Sequence, residues 1–488
     1  MSRTLTLIMS CRRLLVLLSA VAAVSSAIPP SSANVKARVD MSAFKFFSKT
    51  AHHVVDAEIP KVTIPDFTLD ITAGPGTGKV SVRELNITKF NSPKFEFSLG
   101  DDGLSWSSMR GAVKIAGLWE ANYKFGIPVW ESGWVQVLAV DIRVNVSARL
   151  LGRYDRPQIE IGRCTADVLY FDFEIGGGVI PWLVNLFRDD ISKVIKQAIH
   201  NQACDTARSI LLVQFNDFLM TLPLHVPIGN NFYVDYAVDR NITYTRQFVE
   251  AELLADVVYG TDSCHLQHVE PWDERSLQPK MITVWMSESV PNCLLTSAHE
   301  GKLVQFTVTK DVQDIASYLK TNCSFFSICI GRFFPKLKTD YPDQYIDLHF
   351  HTYVAPFIQM QDGDVILNVT FAIDFYINPR KEHPKSLARM ILESQSTVIP
   401  EMVNKRLGGS LNETDVQIWQ DFSDIGDMSN TFLTVFDKVF TATARLMIGT
   451  LLQKGVPLPI FDNVTLADDS EIHVFEKHVR LNADFEFE

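Results

Sequence analysis

The 488-residue sequence has no excess of positive charge, because 45 Lys and Arg stand against 57 Asp and Glu. The shortage of cations falls on one half of the chain, since residues 251–488 carry 19 cations and 33 anions. Binding to nucleic acid or to a broadly anionic surface is driven largely by clustered Lys and Arg. The charge balance therefore argues against both as partners.

Recognisable catalytic motifs are also missing, and no GxSxG or HExxH pattern occurs. The stretch AGPGTGKVS is only partly like a phosphate loop, since Ala73 replaces its first glycine and Val80 its final Ser or Thr. Two groups of potential metal ligands lack a convincing fourth member: Cys264 with His265 and His268, and His349 with His351. We therefore expect a non-enzymatic protein with no metal site and no cofactor.

A long apolar run is found only near the N-terminus. Arg3, Arg12 and Arg13 precede an apolar run over residues 14–24, and small residues follow, which predicts a secretory signal peptide over residues 1–27. The run is too short to cross about 30 Å of hydrocarbon, and no later segment is predicted to span a membrane. We expect a secreted, extracellular protein.

Cysteine is scarce. Of seven cysteines, Cys11 lies in the predicted signal peptide, and the remaining six form an even number that is consistent with disulfides in an oxidising compartment. Asn-x-Ser/Thr sequons predict glycosylation at seven positions: Asn86, Asn145, Asn241, Asn322, Asn368, Asn412 and Asn463.

In the first half of the chain the spacing of apolar residues changes from that of a helix to that of strands. Apolar residues at helical spacing predict a helix from about Met41, and residues 61–172 predict a long series of antiparallel strands. A second, long amphipathic helix is predicted within residues 176–215. Strands flanked by two apolar-faced helices are therefore expected in this half.

The second half repeats this order of elements. A short helix is predicted within 287–301, mainly strands over 303–379, and a long helix over 421–453. The length of the chain exceeds what a single core accommodates. We predict an N-terminal domain over 28–259, a polar, proline-containing linker over 260–280 and a C-terminal domain over 281–488.

Three sequence stretches resemble the family of bactericidal permeability-increasing protein, lipopolysaccharide-binding protein, phospholipid transfer protein and cholesteryl ester transfer protein. They are VIPWLVNLFRDDISKVIKQAIHNQAC in the long helix, QKGVPLP at 453–459 and IPDF at 64–67. The resemblance covers the chain from about Val35 to its end. It implies an α+β fold, a boomerang-like tandem of two barrels, each of antiparallel strands wrapped around a long helix, joined by a central antiparallel sheet.

The resemblance also implies one disulfide. The family joins a barrel strand to the long helix, and Cys164 and Cys204 match those two places. The other four cysteines permit three pairings. A short loop closed by Cys323 and Cys329, which leaves Cys264 for Cys293, is the pairing we favour.

In that family each domain holds one phospholipid-sized ligand, which implies a binder or carrier of phospholipids or other two-chain amphiphiles that acts at a vesicle or lipoprotein surface. A barrel only partly filled by its helix leaves a slot for an acyl chain. The predicted lining in the N-terminal domain is Phe44, Phe47, Ala51, Val54, Leu183, Leu186, Phe187 and Ile195. In the C-terminal domain it is Leu294, Leu295, Phe432, Val435, Phe436 and Val439. Each of these residues has plain core packing as its alternative role.

Two other functions stay open: a lipopolysaccharide-binding immune effector or sensor, and an interaction protein whose pockets are filled. The bactericidal family member carries clustered cations at the tip of its N-terminal barrel. The matching stretches here set four cations against four anions, and they add aromatic rings at Trp119, Tyr123, Phe125 and Trp130 that suit a lipid–water interface. We therefore predict phospholipid binding without potent, salt-sensitive capture of lipopolysaccharide.

Overall fold

A computed structural model of the protein describes residues 33–46, 56–57, 59–101, 103–178, 181–229, 231–239, 242–275, 278–313, 315–324, 326–403 and 405–487. Within helices it does not describe the side chains of residues 181, 210–211, 214, 435–437 and 439–440.

The strands of the described residues are β1 Val35–Asp40, β2 Phe67–Ile71, β3 Thr77–Asn91, β4 Lys94–Gly100, β5 Gly103–Phe125, β6 Ile127–Arg153, β7 Arg156–Gly176, β8 His225–Gly229, β9 Phe232–Val238, β10 Thr243–Tyr244, β11 Phe248–Tyr259, β12 Asp262–Cys264, β13 Ile282–Ser287, β14 Gln305–Val308, β15 Ile346–Thr352, β16 Phe357–Gln361, β17 Asp364–Ile377, β18 Ala388–Val403, β19 Arg406–Ser423, β20 Val456–Pro457, β21 Val464–Leu466, β22 Glu471–Phe475, β23 His478–Ala483 and β24 Phe485–Phe487.

The α-helices are α1 Pro181–Ser209, α2 Asn216–Met220, α3 Ser289–Glu300, α4 Ile330–Phe333, α5 Pro335–Asp340 and α6 Asn430–Lys454. A π-helical turn, Ile210–Phe215, joins α1 to α2, and a short 3₁₀ turn spans Ile59–Lys61. Residues 41–46 are helical, as predicted from Met41 onwards.

The N-terminal half forms a six-stranded antiparallel sheet in the order β2-β3-β5-β6-β7, with β4 on β5. Its strands alternate in burial as the sequence predicts. In β5, Trp119, Ala121 and Tyr123 point into the core, whereas Glu120 and Lys124 face solvent. This sheet wraps around α1, which packs against its concave side.

The central sheet contains strands from both halves of the chain. Its order is β22-β23-β13-β1-β11-β9-β8, with β10 and β12 also paired to β11. The first strand, β1, pairs antiparallel with β11 on one side and with β13 on the other. Because β13 and β23 belong to the C-terminal half, backbone hydrogen bonds join the two halves directly.

The C-terminal half forms a seven-stranded antiparallel sheet in the order β14-β15-β17-β18-β19-β20, with β16 on β17. The short helix α3 and the long helix α6 confirm the two predicted helices of this half. The predicted start at Asp421 is wrong, because residues 421–423 continue β19 and Ser423 pairs with Ala388 of β18. Ser429 caps α6 instead, as its hydroxyl accepts from the Phe432 N–H at 3.2 Å.

The predicted strands over 303–379 are only partly present. Residues 309–345 contain two short helices and turns rather than strands, although β14 to β17 account for most of the remainder. Cys323 and Cys329 close a short loop within this stretch. The fold class itself is confirmed: two antiparallel sheets each hold a long helix, and a third sheet joins them.

Three disulfides link the six described cysteines, all in the predicted pairs. They are Cys164–Cys204, Cys264–Cys293 and Cys323–Cys329. The second of these attaches β12 to α3. Because β12 lies within residues 260–280, that segment is partly built into the central sheet, and the division into two domains at this point stays a prediction.

Candidate functional site

An apolar cavity lies between the C-terminal part of α1 and the concave face of the N-terminal sheet. It encloses about 840 Å³ when its open mouth is included. The lining comes from α1, from strands β3 to β6 and from the segment before β2: Ile59, Val62, Ile64, Ile87, Phe90, Pro93, Phe95, Trp106, Ser108, Gly111, Val113, Ile115, Ile142, Val144, Ile199, Gln202, Ala203, Thr206 and Ala207.

A change in side-chain size along α1 accounts for the position of this N-terminal cavity. In the first half of the helix Leu183, Phe187 and Ile195 are fully buried, and Phe187 packs on Trp119 with ring centroids 5.3 Å apart. Towards the end of the helix the residues that line the cavity include the small Ala203 and Ala207. Small side chains do not reach the sheet, so the barrel is filled at one end and hollow at the other.

Polar groups are few around the cavity. Ser108 is occupied, because its hydroxyl accepts from the Val144 N–H at 3.2 Å. The indole N–H of Trp106 is buried and has no hydrogen-bond partner among the described residues. Gln202 and Thr206 are the polar side chains that α1 contributes. Such a lining favours an alkyl chain, because binding it leaves few polar groups without water.

The disulfide between Cys164 and Cys204 lies beside this cavity. Cys204 follows the lining residue Ala203, and Cys164 on β7 pairs in register with Val146, two residues after the lining residue Val144. The bond therefore fixes the distance between helix and sheet where few side chains hold them together.

The predicted N-terminal lining lies mostly elsewhere. Leu183, Phe187 and Ile195 belong to the filled end of the barrel, and Leu186 is partly buried against the same core. Phe44 packs on a separate small cluster with Leu99, Leu104 and Val249. Phe47, Ala51 and Val54 lie outside the described residues. Contact of these residues with lipid stays a prediction, and none of the described ones lines the cavity.

A second cavity lies in the C-terminal half, where α3 and the end of α6 meet the sheet. It encloses about 680 Å³ with its mouth. The predicted residues Leu294 and Leu295 line it. The full lining is Met286, Pro291, Leu294, Leu295, Ile358, Met360, Val365, Leu367, Val398, Pro400, Leu407, Gly408, Leu451, Leu452, Gly455, Val456 and Val479.

Gly455 of the QKGVPLP stretch lies in the wall of this C-terminal cavity, and only glycine fits at this position. Its φ is +50°, and a Cβ there would lie 2.7 Å from the carbonyl oxygen of Leu407. By contrast Phe432 lies at the other end of α6, where it packs against Phe333, Phe334 and Phe375. The side chains of Val435, Phe436 and Val439 lie outside the described residues, so their role stays a prediction.

Apolar side chains are exposed at the end of the N-terminal barrel where β5 turns into β6. Phe125 and Ile127 flank the turn, and Trp130 follows on the outer face of β6, with 65% of its surface exposed. Trp182 at the start of α1 lies at the same end, since its ring contacts Tyr123 at 5.8 Å. We call Phe125, Ile127, Trp130 and Trp182 the N-terminal tip.

Two of the four predicted interface aromatics are not at the surface. Trp119 and Tyr123 are buried, so that prediction is wrong for them. The indole N–H of Trp119 donates to the carbonyl oxygen of Gly176 at 3.0 Å, and the Tyr123 hydroxyl accepts from the Gly76 N–H at 2.6 Å. The reason is the strand period, which points both rings inward. Phe125 is exposed because it ends the strand at the turn.

Two cations near the N-terminal tip each lie beside a carboxylate. Lys79 lies 3.7 Å from Asp70, and Arg83 lies 3.8 Å from Glu120. These side chains are well exposed, and such pairs have weak mutual attraction. The two carboxylates nevertheless weaken the positive field that Lys79 and Arg83 present near the exposed rings.

A polar cluster on the outer face of the C-terminal sheet is distinct from both cavities. The carboxylate of Asp374 accepts from Arg389 at 2.8 Å and lies 3.0 Å from the ring of His351. Burial alone would raise the pKa of Asp374, but these hydrogen bonds and the Arg389 charge lower it to about 2. Burial also lowers the pKa of His349, to about 4. The described residues contain no group of three or more His, Cys, Asp or Glu placed to hold a metal ion.

Six of the predicted glycosylation sites fall on described residues. Asn86, Asn145, Asn412 and Asn463 are exposed, whereas Asn322 and Asn368 are half-buried. Asn241 lies outside the described residues, and glycosylation stays a prediction at all seven. None of the helices in the described part of the chain is long and apolar enough to cross a bilayer.

The sequence matches two family profiles and is similar to several known proteins. The profile of the LBP / BPI / CETP family, C-terminal domain, matches residues 227–487, and that of the N-terminal domain matches residues 43–214. Lipopolysaccharide-binding protein of Homo sapiens is 21% identical over 444 residues, which cover 88% of this chain and 89% of that protein. Bactericidal permeability-increasing protein of Sebastes schlegelii is 21% identical over 463 residues, 93% of this chain and 95% of that protein.

The fold is shared with a solved structure. A crystal structure of lipopolysaccharide binding protein matches with a TM-score of 0.57 at 19% identity, covering 93% of this chain and 99% of that chain. With two family profiles that together span most of the sequence, the chain belongs to the LBP/BPI/CETP family.

Proposed function

We propose that this protein is a secreted, non-enzymatic binder or carrier of phospholipid-like amphiphiles, which holds acyl chains in its two apolar cavities. The observation that carries the proposal is the N-terminal cavity. Its wall is almost wholly aliphatic and aromatic, it is open at one side, and small residues of α1 leave it unfilled. Membership of a lipid-binding family supports the same conclusion.

The apolar lining of the cavity suits this ligand class. Burying about 16 methylenes at roughly 0.8 kcal/mol each favours binding by about 12 kcal/mol before the costs of immobilisation. Such binding needs no catalytic side chain. The alternative of an interaction protein with filled pockets is disfavoured, because Ala203 and Ala207 leave the hollow end of the barrel open.

Lipopolysaccharide is the second candidate ligand, because one of the similar proteins is a lipopolysaccharide-binding protein and another is a bactericidal permeability-increasing protein. Its lipid part is also acylated, so an apolar cavity accommodates either ligand. The pattern of charges favours phospholipid over lipopolysaccharide as the ligand. Strong capture of its phosphates relies on clustered Arg and Lys, whereas the described cations Lys79 and Arg83 near the N-terminal tip each lie beside a carboxylate.

A variant that fills the N-terminal cavity tests the proposal. Ala203→Leu places a larger side chain in the hollow, and we expect mass spectrometry of an organic extract to find far less two-chain lipid per protein than in the wild type. Asn201→Leu adds leucine on the exposed side of the same helix and is the control. Because Ala203→Leu fills empty space, its melting temperature should not fall.

A wild-type extract free of two-chain lipid, from protein made in lipid-containing cells, would count against the proposal. Equal lipid content in the Ala203→Leu variant and in the wild type would instead show that lipid binds elsewhere.

A further inference from the structure

The end of the C-terminal half farthest from the central sheet is formed by residues 310–345 and 379–385. The two segments meet there, because the N–H of Asn378 donates to the carbonyl oxygen of Tyr345 at 2.9 Å. Lys336 and Lys385 both bind Asp424, which follows the last residue of β19. We call these two segments the C-terminal basic end.

This end is opposite to the C-terminal cavity. Helix α6 begins near Asp424 and extends for 25 residues, or about 37 Å. At its last residue, the carbonyl oxygen of Lys454 accepts from Arg406, which also donates to Pro227 of the central sheet. The length of α6 therefore separates the basic end from the central sheet.

The net charge of the C-terminal basic end is opposite in sign to that of the rest of residues 251–488. The two segments contain 8 cations and 5 anions, a net charge of +3. Asp424, whose carboxylate binds Lys385, adds one anion at this end and makes its net charge +2. The rest of residues 251–488 then has 11 cations and 27 anions, a net charge of −16. The cations are Lys310, Lys320, Arg332, Lys336, Lys338, Arg380, Lys381 and Lys385. The acidic average of this half therefore conceals one basic surface.

An apolar loop projects from the same end. Cys323 and Cys329 close it, and Phe326 at its tip has 95% of its surface exposed, with Ile328 half exposed beside it. Arg332 donates to the carbonyl oxygen of Ser327 within the loop at 3.3 Å, which keeps a cation next to the exposed ring. The disulfide restricts the loop, so presenting Phe326 to a partner costs little conformational entropy.

We propose that the C-terminal basic end docks on an anionic lipid surface, with Phe326 entering the interfacial region and the lysines of this end meeting lipid phosphates. Exposed apolar side chains ringed by cations are typical of proteins that bind at membrane surfaces. A bilayer suits the shape of this feature, because a projecting loop enters a deformable surface without needing a matching pocket. Six of the eight cations are lysines, which reach phosphates as flexible point charges.

The acidic remainder of this half strengthens the preference for one orientation. Its carboxylates are repelled by anionic lipid headgroups, whereas the basic end is attracted. This surface is separate from the two cavities, so the proposal does not depend on which lipid they hold.

The proposal is tested with vesicles of phosphatidylcholine alone and of phosphatidylcholine with phosphatidylglycerol, in flotation assays at low and at physiological salt. We expect the wild type to bind the mixed vesicles more strongly, and less so as salt rises. Phe326→Ala should weaken this binding about tenfold through lost apolar contact. Lys336→Glu with Lys338→Glu should weaken it at least about tenfold and remove most of the salt dependence.

Matched controls lie on the exposed side of α6. Leu446→Ala removes an exposed apolar side chain, and Arg445→Glu reverses an exposed charge away from the basic end. Both should bind mixed vesicles like the wild type. Equal binding of the wild type to both kinds of vesicle would overturn the proposal. So would a preference for mixed over phosphatidylcholine vesicles that stays as large as in the wild type after both the Phe326 and the lysine substitutions. Unchanged melting curves verify that the variants are folded.

Discussion

Cys204, next to the cavity-lining Ala203 on α1, is bonded to Cys164 on β7, and the two Cα atoms lie 5.8 Å apart. The two cysteines are 40 positions apart in the sequence, so the bond closes a loop of that length. It joins helix to sheet at the hollow end of the barrel, where the small side chains of Ala203 and Ala207 line the cavity. Stability there therefore depends on the covalent link more than at the filled end.

Replacing both Cys164 and Cys204 with serine should lower the melting temperature and the yield of secreted protein. Loop-closure entropy predicts a loss of about 4 kcal/mol for a loop of this length. Calorimetry of the purified variant measures the loss. The control is the Cys323→Ser, Cys329→Ser pair, whose separation is only 6 and whose predicted loss is about 2 kcal/mol. A larger loss in the control would contradict the expectation.

The order of the elements was predictable because each carries its own apolar period. The alternation of Trp119, Ala121 and Tyr123 with polar residues indicates one buried face of a strand, and that face is buried in the structure. The ends of elements were harder to predict. Residues 421–423 have no sequence feature that separates a strand end from a helix start, and their pairing with β18 decides it.

The cavity was not predictable from apolar period alone. Helix α1 presents apolar residues inwards along its whole length, and only side-chain volume distinguishes Phe187, which fills the barrel, from Ala203, which does not. A prediction based on the largest apolar residues therefore selected the filled end. The decrease in residue size towards the end of α1 was the available indication of the hollow.

The cap of α6 gives a prediction of helix stability. Ser429 accepts from the Phe432 N–H, which would otherwise have no partner within the helix. Ser429→Ala should lower the free energy of unfolding of the C-terminal half by about 1 kcal/mol. The control is Thr434→Ala, since that hydroxyl only donates to the Asn430 carbonyl within the same helix and should change stability little. A scanning calorimeter measures both.

The depressed pKa of Asp374 predicts a loss of stability in acid. Its folded pKa of about 2 lies below the usual 3.8, so its charged form stabilises the fold above about pH 4. This contribution, roughly 2 kcal/mol, should disappear as the pH falls from about 4 to 2. Asp374→Asn should remove this part of the pH dependence and lower stability at neutral pH, because Arg389 and His351 lose their charged partner.

Asp421→Asn is the control for this titration. Asp421 lies 3.9 Å from the same Arg389 but is exposed, so its replacement should leave the loss below pH 4 intact. Melting temperatures measured across this pH range compare the two variants. A wild-type profile that is flat between about pH 4 and 2 would contradict the assignment to Asp374.

The N-terminal tip predicts how the protein discriminates between lipids. Phe125, Ile127, Trp130 and Trp182 supply apolar and amphipathic contact area, which is insensitive to salt. We therefore expect binding to zwitterionic phospholipid vesicles to change little between low and physiological salt. Ile127→Ser with Trp130→Ser should weaken that binding about tenfold or more, because two exposed apolar side chains no longer enter the interface.

Lipopolysaccharide, titrated under the same conditions, is the decisive comparison. Since Lys79 and Arg83 each lie beside a carboxylate, they offer little attraction to its phosphates, and we expect weak binding at physiological salt. Asp70→Asn with Glu120→Gln removes both carboxylates and should make the capture of lipopolysaccharide stronger and more sensitive to salt, while leaving zwitterionic vesicle binding unchanged. Nanomolar affinity of the wild type that collapses as salt rises would contradict this expectation. It would show that the fold assembles a strongly cationic surface and would favour the immune-sensor function over lipid carriage.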